Sequence, residues 1–537
     1  MNKKNKNISL LLLIIFLFGS TINFSACSKK ALQSKEPIRI ALPFNEKIEN
    51  IETNYYKCWL ENRSDLQLSF DFIPLDYTEE YLRLLFSSRN SDIDAVFFNS
   101  DSGFPSQELI QKYGEKGYIL PLERYIDAYP SNLKLFMTQF DSYDIRRVIS
   151  DSSGHIYYMP CIDLSSVNRN NQTLWLNSSW LQKLKLSMPK TPDELIFVLE
   201  SFRDNDPNNN GKRDEIPLVS SSETYNRQIH NFLINSFVYN DPSNSNMAVN
   251  NGKVFFAPIT DQWRQAMIFC HQLLEKDLLP AQCMNFSNHQ MSRIVNDPRD
   301  LVGGFTCGSI TDVIMRSSPE LLSQFVHITP LKGPQGSRFS TVCTSLPRPG
   351  GVITSACKKP EEVFQLMDLM VGEEASLIGR YGEQGVDWDF ANAGDISLYG
   401  TPATIVVRNQ VWNKIQNKYF LGMGPYINRD KYADGVTWRG FQADQEYLNT
   451  RAYSSYRKYE PSEYIKTIFF DKDTDLLTKI RSEIDTYTEK ATSDFITGNL
   501  DIHSDEVWEN YLLKYKELKI DYLTEAVQKS YTSSLKR

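Results

Sequence analysis

Signatures of catalysis are largely missing from this chain. Its 537 residues hold six histidines, and no two of them stand in the HExxH spacing of a zinc hydrolase. There is no GxSxG elbow to present a nucleophilic serine, no GxxxxGK[ST] loop to cradle a triphosphate and no GxGxxG turn for a dinucleotide. The run Gly303-Gly304-Phe305-Thr306-Cys307-Gly308-Ser309 is rich in glycine but has no lysine to reach a phosphate. Adjacent acids such as Glu373-Glu374 suggest a glycosidase only if two carboxyls face one sugar at a set separation. With 66 acidic residues, chance adjacency explains the pair. Dense basic blocks are also missing. Lys and Arg total 58 against 66 Asp and Glu, a net charge of −8, which argues against nucleic-acid partners. Of the eight cysteines, seven follow Cys27, and no pair has CxxC spacing. An odd number cannot all pair internally, and a chain of this length has core enough to need no staples. No internal repeat and no low-complexity tract is evident.

The first residues carry an export pattern. Lys3, Lys4 and Lys6 make a positive start, and residues 10–18 are an unbroken apolar run. The run is too short for a bilayer, which needs about 20 residues, but fits the core of a signal peptide. No later segment has a membrane-spanning run. Phe24-Ser25-Ala26-Cys27 resembles a lipobox, with Phe24 where Leu is usual. Cleavage before Cys27 and its acylation would anchor the mature chain to the outer face of a bacterial cell membrane. Residues 27–36 would then be a polar tether. The alternative is a plain secretory signal with an incidental cysteine.

Removing 26 residues leaves 511, too many for one core. Residues 37–42 read as a strand, Leu66, Leu68, Phe70 and Phe72 alternate as a second, and residues 94–98 form a short buried third. Between the second and third, Tyr81, Leu82, Leu84 and Leu85 mark a helical face. Strands alternating with helices predict a parallel α/β lobe whose ligand loops leave the carboxyl ends of the strands, here residues 43–46 and 99–104. A second lobe begins near Pro160. Thr191 caps a helix that Pro192 opens and Glu194 completes as a capping box, with Leu195, Val198, Leu199 and Phe202 on its inner face. Another helix starts near Pro360, with Val363, Leu366, Met367 and Met370 on one side. The stretch from Asp473 to the end is helical.

The most informative segment is Asp206-Pro207-Asn208-Asn209-Asn210-Gly211-Lys212-Arg213-Asp214-Glu215. Oxygen-bearing side chains alternate at Asp206, Asn208 and Asn210, and a glycine permits the sharp turn, as in the first half of a calcium loop. The second half departs from an EF-hand: position twelve is Pro217 and the carboxylates come at Asp214 and Glu215. With the Lys212 carbonyl these six oxygens would suit Ca²⁺. The same residues would also serve as a plain Asn/Gly turn.

With its flanks, Trp175-Leu176-Asn177-Ser178-Ser179-Trp180 and Pro189-Lys190-Thr191-Pro192-Asp193-Glu194-Leu195, this segment resembles the extracellular solute-binding proteins, family 1, of carbohydrate ABC importers. The likeness extends to the alginate-binding proteins and to long Gram-positive lipoproteins, whose structural Ca²⁺ sits in a D-x-N-x-N-G-x-x-D-E loop. Residues 154–160 and 380–388 carry further similarity. The resemblance implies a two-lobe, periplasmic-binding-protein-like α/β fold with a mainly parallel sheet in each lobe. One lobe would be 37–159 plus 330–375, the other 160–329 plus 376–537, with the calcium loop at 206–217. The chain would return near residues 329–333 and cross again near 372–380. It implies a monomeric binding subunit, not an enzyme, that hands a carbohydrate to an ABC permease. A secreted glycosidase and a peptide-binding importer subunit are the alternatives. Sugars need flat apolar faces and hydroxyl partners, so the expected cleft residues are Trp388, Tyr381, Trp438 and Tyr225 with Asn99, Asp101, Asp163 and Asn226.

Overall fold

The computed structural model describes residues 36–535, apart from 75–77, 88–91, 99–104, 141, 152, 166–168, 171, 316–317, 413, 440–444 and 471. Cys27, Asn99 and Asp101 therefore lie outside the described residues. Numbered in chain order, the strands are β1 Ile38–Pro43, β2 Leu68–Ile73, β3 Ala95–Phe97, β4 Met159–Asp163, β5 Thr173–Asn177, β6 Met247–Asn250, β7 Lys253–Phe256, β8 Gly304–Cys307, β9 Phe325–Ile328, β10 Arg348–Ile353, β11 Trp388–Phe390, β12 Ile405–Val407, β13 Tyr426–Asn428 and β14 Val436–Trp438.

The first lobe is built on a sheet of order β13-β4-β10-β3-β1-β2. All its strands run parallel except β10, which is antiparallel to both neighbours. Ile38, Ile40, Ala41 and Leu42 of β1 are all buried, as a strand covered on both faces requires. Two glycines let β10 lie in the middle. A Cβ on Gly350 would come 2.6 Å from Cys161 Sγ, and one on Gly351 would come 3.0 Å from both Met367 Sδ and the Phe97 ring. The helix Pro360–Met370 buries Val363, Leu366, Met367 and Met370, as its spacing predicts.

The second lobe has an antiparallel sheet, β8-β5-β9, which parallel bridges at Ile216–Val302 and Val219–Phe305 extend. It thus differs from the mainly parallel sheet expected there. In the helix Pro192–Asp204, Thr191 Oγ1 accepts from Glu194 N at 3.2 Å, the predicted cap. Glu194 departs from the capping box: its carboxylate accepts from Lys190 N, one residue before the cap. The C-terminal helices Thr474–Thr497, Asp505–Glu517 and Ile520–Ser534 join this lobe's core. Trp263, from the helix Asp261–Glu275, stacks on Tyr511 and Trp508 at centroid distances of 5.7 and 6.2 Å.

Two hydrophobic cores separate the lobes. Trp388, Ile405, Val407, Ile427 and Val436 belong to the core that holds β1 and β3, and β13 completes the first sheet. Residues 373–438 therefore pack with the first lobe, a correction to the expected boundary at 376. The helix Glu373–Tyr381, expected at a crossing, buries Ala375, Leu377, Ile378 and Tyr381 in that core. Among the described residues the chain passes between lobes three times: from β4 to β5, from β9 to β10, and from β14 to the helix Gln445–Tyr456, whose Ala452 and Tyr456 are buried in the second core. The middle passage includes the predicted residues 329–333. Cys343 N donates to Arg169 O at 2.8 Å, tying the first passage to the second. Arg169 grips Glu460 through two bonds of 3.0 and 2.6 Å, tying in the chain beyond the third.

Candidate ligand cleft and cation loop

Because β1, β2, β3, β4 and β13 are parallel, their carboxyl ends share one edge of the sheet. The first passage leaves the lobe from that edge, at the end of β4. In open α/β sheets this is where ligands sit. Asp163 ends β4 there, half-buried, accepting from Asn428 Nδ2 and Ser165 N at 3.0 Å each. Among the described residues it is the expected cleft residue that lies on this edge. Tyr225 and Asn226 fall in the single turn Tyr225–Arg227 of the second lobe, with Asn226 half-buried.

The other three aromatic candidates lie elsewhere. Trp388 is 1% exposed, its Nε1 donates to Gly382 O at 2.9 Å, and its ring meets Tyr381 and Phe390. Tyr381 is 3% exposed, and Trp438 is half-buried edge-on to Trp412 at 5.5 Å. All three pack in or against the first core. The cause is the turn at Gly382 and Gly385, whose φ values of 84° and 83° fold the chain back so that β11 pairs with β12 and faces its tryptophan inward. The glycine turn that was expected to present the ring buries it.

A cavity of about 420 Å³ lies where the passages meet. Phe136, Phe140 and Tyr143 line it from the first lobe, Tyr464 from the second, and Arg169 and Val342 from the passages. Most of its charged groups are paired in place. Lys431 Nζ is 2.9 Å and Arg429 Nε 3.8 Å from Glu373, which also accepts from the Tyr432 hydroxyl. Burial opposes ionisation of Glu373, but the bonds from Tyr432 and Lys431 outweigh it and hold the carboxyl below its ordinary range. Burial lowers the Arg429 guanidinium. Glu374 turns away toward Arg63, 3.8 Å distant, so the adjacent acids do not converge as a glycosidase pair must. Sequence spacing could not show this cavity, because its lining comes from six separate segments.

The cation loop joins the end of the helix Pro192–Asp204 to the bridge at Ile216. Asp206 accepts from Asn210 N and Gly211 N at 3.0 and 2.9 Å. Asn210 Oδ1 accepts from Lys212 N, and the amides of Asn208 and Asn210 lie 3.4 and 2.9 Å from Asp214 Oδ1. Both carboxylate oxygens of Glu215 are buried and have no side-chain hydrogen-bond partner. Burial first, then the charges of Asp206 and Asp214, push the Glu215 carboxyl above its ordinary range. A buried carboxylate without a side-chain partner is costly by itself and suits a hard divalent cation. Among the described residues no three His, Cys, Asp or Glu side chains converge as a metal cluster. The donor set here is instead a mixture of amides, a carbonyl and carboxylates.

Two lobes, each with its own core, joined by three passages define a two-lobe α/β fold. No family model matches the chain. Its homologues are substrate-binding proteins of ABC transporters. The chain is 27% identical over 443 residues to the fructooligosaccharide ABC transporter substrate-binding protein FusA of Streptococcus pneumoniae, covering 79% of this chain and 77% of that protein. It is 22% identical over 393 residues to the lipoprotein LipO of Bacillus subtilis, covering 70% and 72%. Solved structures share the fold: FusA in complex with kestose, with a TM-score of 0.69 and 22% identity over 92% of this chain and 98% of that one, and a solute-binding protein for human milk oligosaccharides from Bifidobacterium longum infantis, with 0.70 and 20% over 93% and 99%. FusA has also been solved as an EF-hand mutant in complex with fructo-nystose.

Proposed function

We propose that this chain is the substrate-binding subunit of an ABC importer, which captures an oligosaccharide between its lobes and delivers it to a membrane permease. The observation that carries this reading is the ligand edge of the first-lobe sheet, joined by three passages to a second lobe. The homologues bind and hand over ligand rather than convert it, and the divergence of Glu373 and Glu374 agrees with that role. The matched charges of the cavity favour a neutral, hydroxyl-rich ligand. Cys27 is the lipid attachment point in this reading, the chain works as a monomer on the outer face of the cell membrane, and LipO is a lipoprotein relative. Asp206, Asn208, Asn210, the Lys212 carbonyl, Asp214 and Glu215 hold a structural Ca²⁺, in keeping with the EF-hand of FusA. Calcium here has no part in ligand chemistry. The test is calorimetry of the purified chain against kestose, fructo-nystose and human milk oligosaccharides, with products followed by chromatography. Stoichiometric binding without turnover is expected. Product release would favour a glycosidase, and peptide binding without sugar binding a peptide importer.

A further inference from the structure

Phe44 and Phe72 are 47% and 42% exposed, and their rings touch edge to face, with centroids 5.6 Å apart and planes at 85°. Among the described residues they are the pair of exposed aromatic rings in mutual contact. Other exposed apolar side chains, such as Phe197 and Leu135, stand singly, and scattered ones are ordinary. Phe44 directly follows β1, inside the loop at residues 43–46, and its N–H donates to Ile73 O at 2.9 Å. Phe72 is the last residue but one of β2. The two rings continue a row that begins in the core, since Ile40 and Leu42 are buried and Phe70 packs near Phe420 at 6.2 Å. Where that row leaves the core, at the ligand edge, a polar residue would satisfy the fold.

We infer that Phe44 and Phe72 form a stacking lip for an outer sugar residue of the bound oligosaccharide. An edge-to-face pair leaves one ring face open, and such a face packs on the C–H surface of a pyranose or furanose. The lip is carried by sheet backbone, so it is pre-shaped rather than ordered on binding. It is also displaced along the edge. Three strand steps separate β1 from β4, about 14 Å at roughly 4.8 Å per step. A monosaccharide beside Asp163 does not reach the lip, but a longer chain lying along the edge does. The inference therefore selects for oligosaccharides of three or more residues, and it rests on the carbohydrate reading above.

The experiment titrates the full chain and its Phe44→Ala, Phe72→Ala and Phe44→Tyr variants with kestose, fructo-nystose and human milk oligosaccharides, and with the disaccharide corresponding to whichever of these binds. Each alanine variant should lose about tenfold in affinity for the longer ligand. Disaccharide affinity should stay within about twofold, and the Tyr variant should bind like the parent. Melting temperatures should stay the same, since both rings are exposed. If the parent binds none of these sugars, the carbohydrate reading fails and takes the lip with it. If the parent binds and both alanine variants bind equally well, the lip alone is overturned. Normal sugar affinity with reduced stimulation of the permease ATPase also overturns it, and assigns the rings to permease docking.

Discussion

Trp388 is packed by Tyr381 and Phe390 and tethered through its indole nitrogen to Gly382. Trp388→Ala should cost about 3–5 kcal/mol of stability, the scale of large-to-small changes in a core. Urea denaturation would measure this, and the folded fraction should keep its sugar affinity. Affinity lost without loss of stability would return Trp388 to the cleft. His327 is held down to about 4 by burial and then by Arg451, from an ordinary value of 6.5. Between those values the unfolded chain takes up a proton that the folded chain refuses. The contribution of His327 to stability is therefore complete above pH 6.5 and is lost as pH falls toward 4. His327→Gln should flatten the pH dependence of the urea midpoint in that window, and an unchanged slope would count against it. At this scale the sequence could place residues 43–46 and Asp163 at the ends of strands, but it could not orient rings. Whether an aromatic beside a turn faces solvent or core depends on which strand the turn brings it against.

The cation loop is the element most legible before folding, because all six donors lie within ten residues and their spacing alone puts them on one side of a turn. Adding calcium should raise Tm, since a ligand that binds only the native state stabilises it by mass action. Differential scanning fluorimetry with and without chelator would show this. Asp206→Ala combined with Asp214→Ala should abolish the calcium response. Elemental analysis finding no calcium in protein prepared with it would reduce the segment to a turn. The helix Pro192–Asp204 was equally legible, through Thr191 and its buried face. The helix Glu373–Tyr381 shows the opposite case. Its amphipathic pattern is plain, but the pattern says only that one face is buried, not in which lobe.

For the whole molecule, closure is the property that matters. A ligand that contacts both lobes binds the closed form better and shifts the population toward it. Small-angle scattering should show a smaller radius of gyration at saturating oligosaccharide, and identical profiles would argue against a closing cleft. Arg169, Glu460 and Cys343 tie the passages together, so the motion should be a hinge rather than an unravelling of the linkers. Anchoring is the second property at this scale. Cys27→Ser should release the protein from membranes or leave it unprocessed, as fractionation and mass measurement would show. Normal cleavage with full membrane retention would remove Cys27 as the attachment point.

The sequence by itself determined the local features: the oxygen array at residues 206–215, the Thr191 cap and the apolar rhythm of the first strands. Each depends on neighbours within a few turns of chain, where spacing and geometry are nearly the same thing. Only the tertiary structure decided which lobe residues 373–438 join, where the C-terminal helices pack, and that Trp388 is core while Phe44 stands at the edge. These outcomes depend on contacts between residues tens to hundreds of positions apart. The pairing of β13 with β4, more than 260 residues earlier, is set by the burial of two whole faces rather than by any short motif.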